Sequence, residues 1–503
     1  MIKKAGLTAL IAAVTVGVSA QETTPFTISE LTAGHPVTEL KVVNFFEPGR
    51  SALVARGMDD EKKKYFSVFE MNGGNKVASE PRLTAEMPGD AIFFDYAHIF
   101  GNNQESLLFL SSKGVQIYDA ASGKTRSLVN VSSIYKQNGS PLFSQVNFAH
   151  DMNGDGFGDI IIPDFDGYRL LLNDGKGGFL GETLLDMQVE MRLFESTPRY
   201  SQFPVYAFDA NFDERIDIVF QKDNSFLAFL QKEDGSYATT AVEYTFDIDI
   251  VGNSFSAQVA SNERYNDQSD LAETVVETIK DINGDGIIDI VTQTDRAKGL
   301  FNRSTEYGFH YGFESSGRIA FNKAPTAALK LKGITANARH VDFANDGRMD
   351  FAGGAVNIGI GKIIGILLSG SVGVPVMFYE QGEDGQFSED PTFRKKISVD
   401  FDMSSGQSSV PVVDMTDIDG DGYKDLILSK KNESLRIYKA TPGKKKMFSK
   451  KAIIVKLDLP KNGEQVTSAD LNGDGKGDLM MHFDRLGGDG ALKRNKLIVL
   501  VAN

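Results

Sequence analysis

Nine residues in the pattern Asp-x-Asn-Gly-Asp-Gly-x-x-Asp recur along this chain, and their oxygens are spaced to enclose a hard divalent cation. The copies start at Asp151, Asp209, Asp281, Asp342, Asp417 and Asp470, reading DMNGDGFGD, DANFDERID, DINGDGIID, DFANDGRMD, DIDGDGYKD and DLNGDGKGD. Calcium takes six to eight oxygens in loose geometry, and side chains at positions 1, 3, 5 and 9 with the carbonyl of position 7 supply such a set. Four copies are complete. They offer Asp151, Asn153, Asp155, Phe157 and Asp159; Asp281, Asn283, Asp285, Ile287 and Asp289; Asp417, Asp419, Asp421, Tyr423 and Asp425; and Asp470, Asn472, Asp474, Lys476 and Asp478. The residue at position 7 contributes only its carbonyl. Glycines at positions 4 and 6 let the backbone take positive φ and wrap the ion. Without a cation the carboxylates repel one another at short range, so binding and local folding are expected to be coupled.

Two copies are altered. The loop with Asp209, Asn211, Asp213 and Asp217 carries Phe212 and Glu214 where glycines belong, and Arg215 at position 7 brings a cation close. The loop with Asp342, Asp346 and Asp350 has Ala344 at position 3. These two are expected to bind calcium weakly or not at all, giving about four sites and at most six. An EF-hand would need an acidic twelfth residue and a following helix. Here position 12 is Ile162, Phe220, Thr292, Gly353, Leu428 or Met481, and the flanks are apolar and β-branched. Isolated Asn-Gly and Asp-Gly pairs are ordinary hairpin turns, but their recurrence in four complete sets favours an ion.

Strand-like runs must position these loops. Ile160-Ile161-Ile162, Ile218-Val219-Phe220, Leu426-Ile427-Leu428 and Leu479-Met480-Met481 follow them, short and apolar as strands buried between layers are. A third run follows, such as 168–172 or 435–438, and Gly-x-Phe or Gly-x-Tyr announces a fourth at Gly178, Gly235 and Gly385. Four strands per repeat describe a propeller blade. Two decayed copies precede the six, one aligned at Asn44 and one at Asp95. The expected fold is therefore all-β, a β-propeller of four-stranded blades, eight in number, with seven as the alternative if the first unit is a decoration. The last blade shows only three strands, at 465–469, 479–482 and 496–501. The run from Pro25 to Ser29 is an orphan strand predicted to complete it and close the ring, which removes exposed sheet edges.

The loops and strand runs resemble the FG-GAP or VCBS repeat of integrin-α-like β-propellers. The resemblance covers the chain from about Val37, or from Phe148 if the decayed copies are left out. It implies calcium on one face of the ring and a role in adhesion or ligand binding; the fold also carries enzymes.

Residues 1–20 read as a secretory signal peptide, with Lys3 and Lys4 before an apolar stretch and Val18-Ser19-Ala20 before the cut. Residues 21–503 then form one propeller domain. Export to a periplasm, a cell surface or the medium is expected. The formal charge of −15 disfavours nucleic acid and anionic membrane surfaces as partners. The absence of cysteine excludes disulfides and cysteine nucleophiles, leaving metal ions as the available staple. Two stretches interrupt the repeat. Residues 245–272 lengthen the link into one blade. Residues 353–374 are glycine-rich and apolar with Lys362 as their one charge; they read as a hairpin packed over the ring, with a peripheral membrane or partner contact as the sharper reading. A spanning helix does not fit.

The functional expectation is a secreted calcium-binding module for a protein or glycan ligand, with no catalytic residue assigned. The alternatives are a polysaccharide lyase or hydrolase on the same fold and a structural subunit of an envelope complex. His310, in the aromatic run 307–313, is read as part of a packed strand before a sugar-stacking surface. The lysines at 444–446 and 450–451 read as a solvated hairpin.

Overall fold

The computed structural model describes residues 24–503 except 74, 102–103, 136–144, 195–196, 202, 251–269, 299–301, 357–368, 403–406, 444–445 and 485–488. The expected signal peptide lies outside the described residues, as do most of the interruption at 245–272 and the middle of that at 353–374.

Eight antiparallel sheets follow one another in the chain. Blade 1 spans 39–86, blade 2 93–129, blade 3 149–185, blade 4 205–245, blade 5 270–332, blade 6 334–408, blade 7 413–456, and blade 8 466–502 with the N-terminal strand. Each has four strands, except that blade 6 gains a short fifth, Gln407–Ser408. The count of eight is met. The first strands of blades 2 and 3 touch each other, as do those of blades 7 and 8, which puts the first strands at the inside of the ring.

Between every pair of neighbouring blades lies a hydrophobic cluster. One joins Phe66 and Val68 of blade 1 to Phe94 and Phe109 of blade 2, and another joins Tyr168 and Leu170 of blade 3 to Phe220 and Phe229 of blade 4. The cluster of Leu31, Leu497 and Val499 with Leu53 and Phe69 joins blade 8 to blade 1. Second strands are apolar at successive positions because both of their faces are covered: Ile160, Ile161 and Ile162 are all buried, as are Leu426, Ile427 and Leu428.

The N-terminal strand Phe26–Thr32 pairs antiparallel with Lys496–Ala502, in register from Phe26 opposite Ala502 to Thr32 opposite Lys496. The orphan strand thus completes the last blade, and the Asn503 N–H donates to the Pro25 carbonyl at 2.9 Å.

All first strands run the same way, so every connection from first to second strand emerges on one face. The six acidic loops are those connections. Second-to-third turns and blade-to-blade links emerge on the opposite face. The strands that flank both interruptions end there: the fourth strand of blade 4, Val242–Thr245, leads into 245–272, and 353–374 joins the second strand of blade 6, Asp350–Val356, to the third, Ser371–Tyr379. The described ends of the latter are therefore lengthened blade strands, with Val372 and Val374 buried. A hairpin of Glu190–Phe194 with Thr197–Ser201, between blades 3 and 4, also belongs to this face; the sequence reading missed it.

The decayed copies mark the right blades, and the one at Asn44 is in register, Val43 pairing with Ala52 as Val341 pairs with Asp350, whereas the one at Asp95 is not. Asp95 was aligned with a loop's first aspartate, yet it sits inside the first strand of blade 2, Phe93–His98. The aligned stretch at Asn44 has shrunk to a two-residue turn between Glu39–Glu47 and Arg50–Met58. The Gly-x-Tyr and Gly-x-Phe signals at Gly235 and Gly385 mark the bridged turn before the fourth strand, where Gln231 pairs with Tyr237 and Gln381 with Phe387. At Phe179 the signal opens the strand itself, Phe179–Leu185.

Candidate metal centre

The four complete loops share one geometry. The first aspartate turns its carboxylate inward and accepts the N–H groups of positions 4 and 6. Asp151 receives Gly154 at 2.7 Å and Gly156 at 2.8 Å, Asp281 receives Gly284 and Gly286 at 2.7 and 2.9 Å, and Asp417 and Asp470 do the same. The glycines make this wrap possible; Gly284 and Gly286 stand at φ 77° and 86°. The fifth position accepts the N–H of the seventh, as in Asp285 from Ile287 at 2.8 Å. The fifth-position carboxylate also accepts a hydrogen bond from the third-position amide, Asn153 to Asp155 at 2.9 Å, Asn283 to Asp285 at 2.9 Å and Asn472 to Asp474 at 3.1 Å.

In the Asp417 loop position 3 is an aspartate, so this relief of charge is lost. Lys439, at the end of the blade's third strand, supplies it instead, donating to Asp419 Oδ2 at 2.6 Å. Asp419 Oδ1 is left buried and without a partner. Oxygens of Asp417, Asp419 and Asp425 all lie within 4.8 Å of one another. A buried, unpaired carboxylate oxygen facing two further carboxylates is costly, and a divalent cation resolves it. The residues present therefore fit a hard cation, and Asp417, Asp419, Asp421 and Asp425 with the Tyr423 carbonyl would hold it.

The ninth aspartate does something the spacing did not reveal. It is fully or almost fully buried in every loop and ties the loop to the end of the third strand or to the second residue past it. Asp159 accepts Met152 N–H at 3.0 Å and Asn173 N–H at 2.8 Å. Asp289 accepts Ile282 and Gly312 at 2.8 and 2.9 Å, and Asp478 accepts Leu471 and Ala502, both at 2.8 Å. The same bracket is made by Asp217 with Ala210 and Gln231, Asp350 with Phe343 and Gln381, and Asp425 with Ile418 and Ala440. Burial pushes these carboxyls up, to about 7 for Asp159 and Asp350 and to about 6 for Asp217, Asp289, Asp425 and Asp478, against the pull of the donated hydrogen bonds. A carboxylate oxygen keeps a second lone pair after accepting one N–H, so the bracket and a cation can share it.

The altered loops keep the fold of the complete ones. Asp209 receives Asp213 and Glu214 N–H at 3.1 and 2.7 Å, and Asp342 receives Asp346 and Gly347 at 3.1 and 2.9 Å. Phe212, Glu214 and Asn345 take φ values of 59°, 69° and 55° where glycine would sit without strain. Arg215 and Arg348 pair with the fifth-position aspartates, Asp213 and Asp346. The residues in these two loops do not fit a bare divalent cation, because a guanidinium already sits on one of the carboxylates it would need.

Three histidines are held by the packing around them. His310 is buried, with Nδ1 3.0 Å from the Asn322 carbonyl, and Tyr307 and Phe309 beside it are fully buried between blades 5 and 6, while Phe313 at the end of the aromatic run is exposed. His340 Nε2 lies 2.8 Å from Glu277 of the preceding blade, and burial lowers His150.

The family profile described as FG-GAP-like repeat matches residues 417–481, from the loop of blade 7 through the loop of blade 8. No curated protein matches the chain. Among solved structures, an Agrocybe aegerita lectin described as recognising non-reducing terminal N-acetylglucosamine aligns over 86% of this chain and 94% of its own, at 15% identity and a TM-score of 0.42. The V. cholerae biofilm matrix protein Bap1 aligns over 94% of this chain and 88% of its own, at 10% identity and a TM-score of 0.26.

Proposed function

Starting from an eight-bladed β-propeller of FG-GAP-like repeats, we propose that this chain is an exported, calcium-stapled binding module whose ligand, a protein or a glycan, docks on the face opposite the acidic loops. The division of labour between the two faces carries this reading. One face repeats the same bracketed acidic loop six times, which suits a structural role. The other face receives the strand ends that flank the interruptions at 245–272 and 353–374, the Glu190–Phe194 hairpin, and exposed apolar side chains in its turns, whereas the acidic face adds to its loops the small hairpin of Gly312–Glu314 with Ile319–Phe321. Phe165, between the second and third strands of blade 3, is 62% exposed, and Leu492, between those of blade 8, is wholly so. Loops held by a rigid scaffold are where recognition concentrates.

Calcium acts here through order. Asp151, Asn153, Asp155 and Asp159 with the Phe157 carbonyl would hold one ion, and the corresponding residues of blades 5, 7 and 8 three more. Each ion would cancel the repulsion within its loop and stiffen the blade that presents the opposite face. Among the described residues no helix is long and apolar enough to cross a membrane.

The test is capture of ligands from native envelope and medium, together with a glycan panel, with calcium and with chelator. Calcium-dependent capture that the Phe165→Ala and Leu492→Ala double variant weakens, with ion stoichiometry unchanged, supports the reading. Turnover of a glycan by the purified protein, abolished by a point substitution, would replace it with the enzyme reading.

A further inference from the structure

The two altered loops share a substitution that the complete loops lack. Position 7 is Phe157, Ile287, Tyr423 or Lys476 in the complete loops and arginine, Arg215 or Arg348, in both of the others. The two arginines do the same thing. Each donates Nη2 to the Oδ2 of the fifth-position aspartate, Asp213 or Asp346. Each also donates Nε to a carbonyl just past the blade's third strand, Gln231 at 3.0 Å or Gln381 at 3.3 Å. Those glutamines are the residues whose N–H groups bind the ninth aspartates, at 2.9 Å in both blades. A single guanidinium therefore joins the mouth of the loop to the strand that its base already grips. A lysine at position 7 does not do this: the Lys476 side chain lies along Gly420 of the neighbouring loop, its Cγ 3.4 Å from where a Cβ there would stand.

We propose that Arg215 and Arg348 are built-in cations that take over the metal's role, so that blades 4 and 6 are closed without calcium while blades 3, 5, 7 and 8 depend on it. Guanidinium suits the task because it stays charged and offers donors in a fixed planar fork. In the Asp209 loop, Asp213 Oδ2 accepts both Arg215 and the Asn211 amide, the latter at 2.8 Å, which uses both lone pairs of that oxygen. An incoming ion would have to displace a half-buried ion pair. Internal bracing also explains how these loops hold the wrapped backbone with Phe212, Glu214 and Asn345 in left-handed conformations that side chains rarely adopt. The braced loops alternate with metal loops. That of blade 6 lies against both neighbours: a Cβ on Gly284 would meet the Gly347 carbonyl at 2.5 Å, and one on Gly422 the Asn345 amide at 3.3 Å. A loop that never opens thus backs two that depend on an ion.

The proposal rests on the calcium reading of the complete loops, and the experiment separates the two. Calcium stoichiometry is measured by titration calorimetry, and unfolding is followed in chelator, for the wild type, Arg215→Ile, Arg348→Ile and Arg215→Lys. Isoleucine is what the Asp281 loop carries at this position. The wild type is expected to bind four ions. Arg215→Ile should bind a fifth, since Asp209, Asn211, Asp213 and Asp217 all remain. Arg348→Ile should stay at four, because Ala344 leaves position 3 without a ligand. Both isoleucine variants should unfold earlier than the wild type in chelator, and calcium should restore only Arg215→Ile. Arg215→Lys keeps a charge at the site and should bind no fifth ion. Six ions on the wild type, a fifth on Arg215→Lys, or no change in either stoichiometry or chelator stability for Arg215→Ile would overturn the proposal. No ion on the wild type would overturn the calcium reading instead, and the comparison in chelator would still decide the arginines.

Discussion

Ring closure rests on one seven-residue strand, and its two buried apolar side chains face different neighbours. Phe26 packs in the cluster shared by blades 7 and 8, with Ile427, Leu479 and Leu500. Leu31 packs in the cluster shared by blades 8 and 1, with Leu53, Phe69 and Leu497. Truncating a buried Phe to Ala typically costs ~3–5 kcal/mol and a buried Leu ~2–5 kcal/mol, the spread reflecting how far the cavity collapses. The two sites lie five residues apart on a strand that rises ~3.3 Å per residue, about 16 Å, and share no cluster, so their costs should add to within ~0.5 kcal/mol. Phe26→Ala with Leu31→Ala is therefore expected to cost ~5–10 kcal/mol, comparable with the whole stability of an ordinary domain. The assay is urea unfolding of each single variant and of the double at fixed calcium. Deleting residues 24–32 should also expose the edge of Lys496–Ala502 and shift the protein toward aggregates by light scattering. Single costs below ~1 kcal/mol, or a double variant no worse than the poorer single, would refute the closure argument, because the strand would then be laid on the ring without locking it.

Two further outcomes follow from buried contacts. His482 is buried and neutral, its pKa pushed down to about 4 chiefly by burial; between pH 6.5 and 4 the unfolded chain binds a proton at this residue that the native one refuses, so the contribution of His482 is full above pH 6.5 and falls by ~3 kcal/mol as the solution is acidified through that window, opposite in sign to that of the buried ninth aspartates. In parallel denaturation series the stability of His482→Gln should therefore gain ~3 kcal/mol on that of the wild type between pH 6.5 and 4, and a constant difference would count against it. A Cβ on Gly477 would stand 1.9 Å from Thr416 Oγ1 and 2.8 Å from its Cβ, in the neighbouring blade, so Gly477→Ala should lower stability by ~1–3 kcal/mol, and adding Thr416→Ala should recover only part of the loss in the same unfolding assay, because the Cβ clash remains.

How much of this was legible before the structure depended on what each residue has to do. The acidic loops were legible because wrapping an ion needs oxygens and glycines at fixed spacing, and no other nine residues serve as well. The blade count was legible because both faces of each second strand are covered, so the apolar run persists in blades 1 and 2 after the loop chemistry is gone. The register of blade 2 was not, and Asp95 shows why. It was retained for a different contact: it accepts the N–H groups of Phe148 and Ala149 at 2.9 and 3.0 Å and the Gln145 amide at 2.9 Å, stitching blade 2 to the approach of blade 3. A lone aspartate in a strand carries no spacing to distinguish that task from a decayed loop. The ninth aspartate was assigned one role where it has two, since its second partner lies 14 to 31 residues along the chain in another strand and leaves no local pattern. The arginines fall between these cases. Their identity at position 7 of both altered loops was there to be read, and Arg215 drew notice as a nearby cation. Only the fold brings Gln231 and Gln381 to the guanidinium, and only that contact turns an apparent loss of a metal site into a replacement for it. Each altered loop gathers three carboxylates, one of them buried, and in both blades an arginine at position 7 pairs with the fifth-position aspartate.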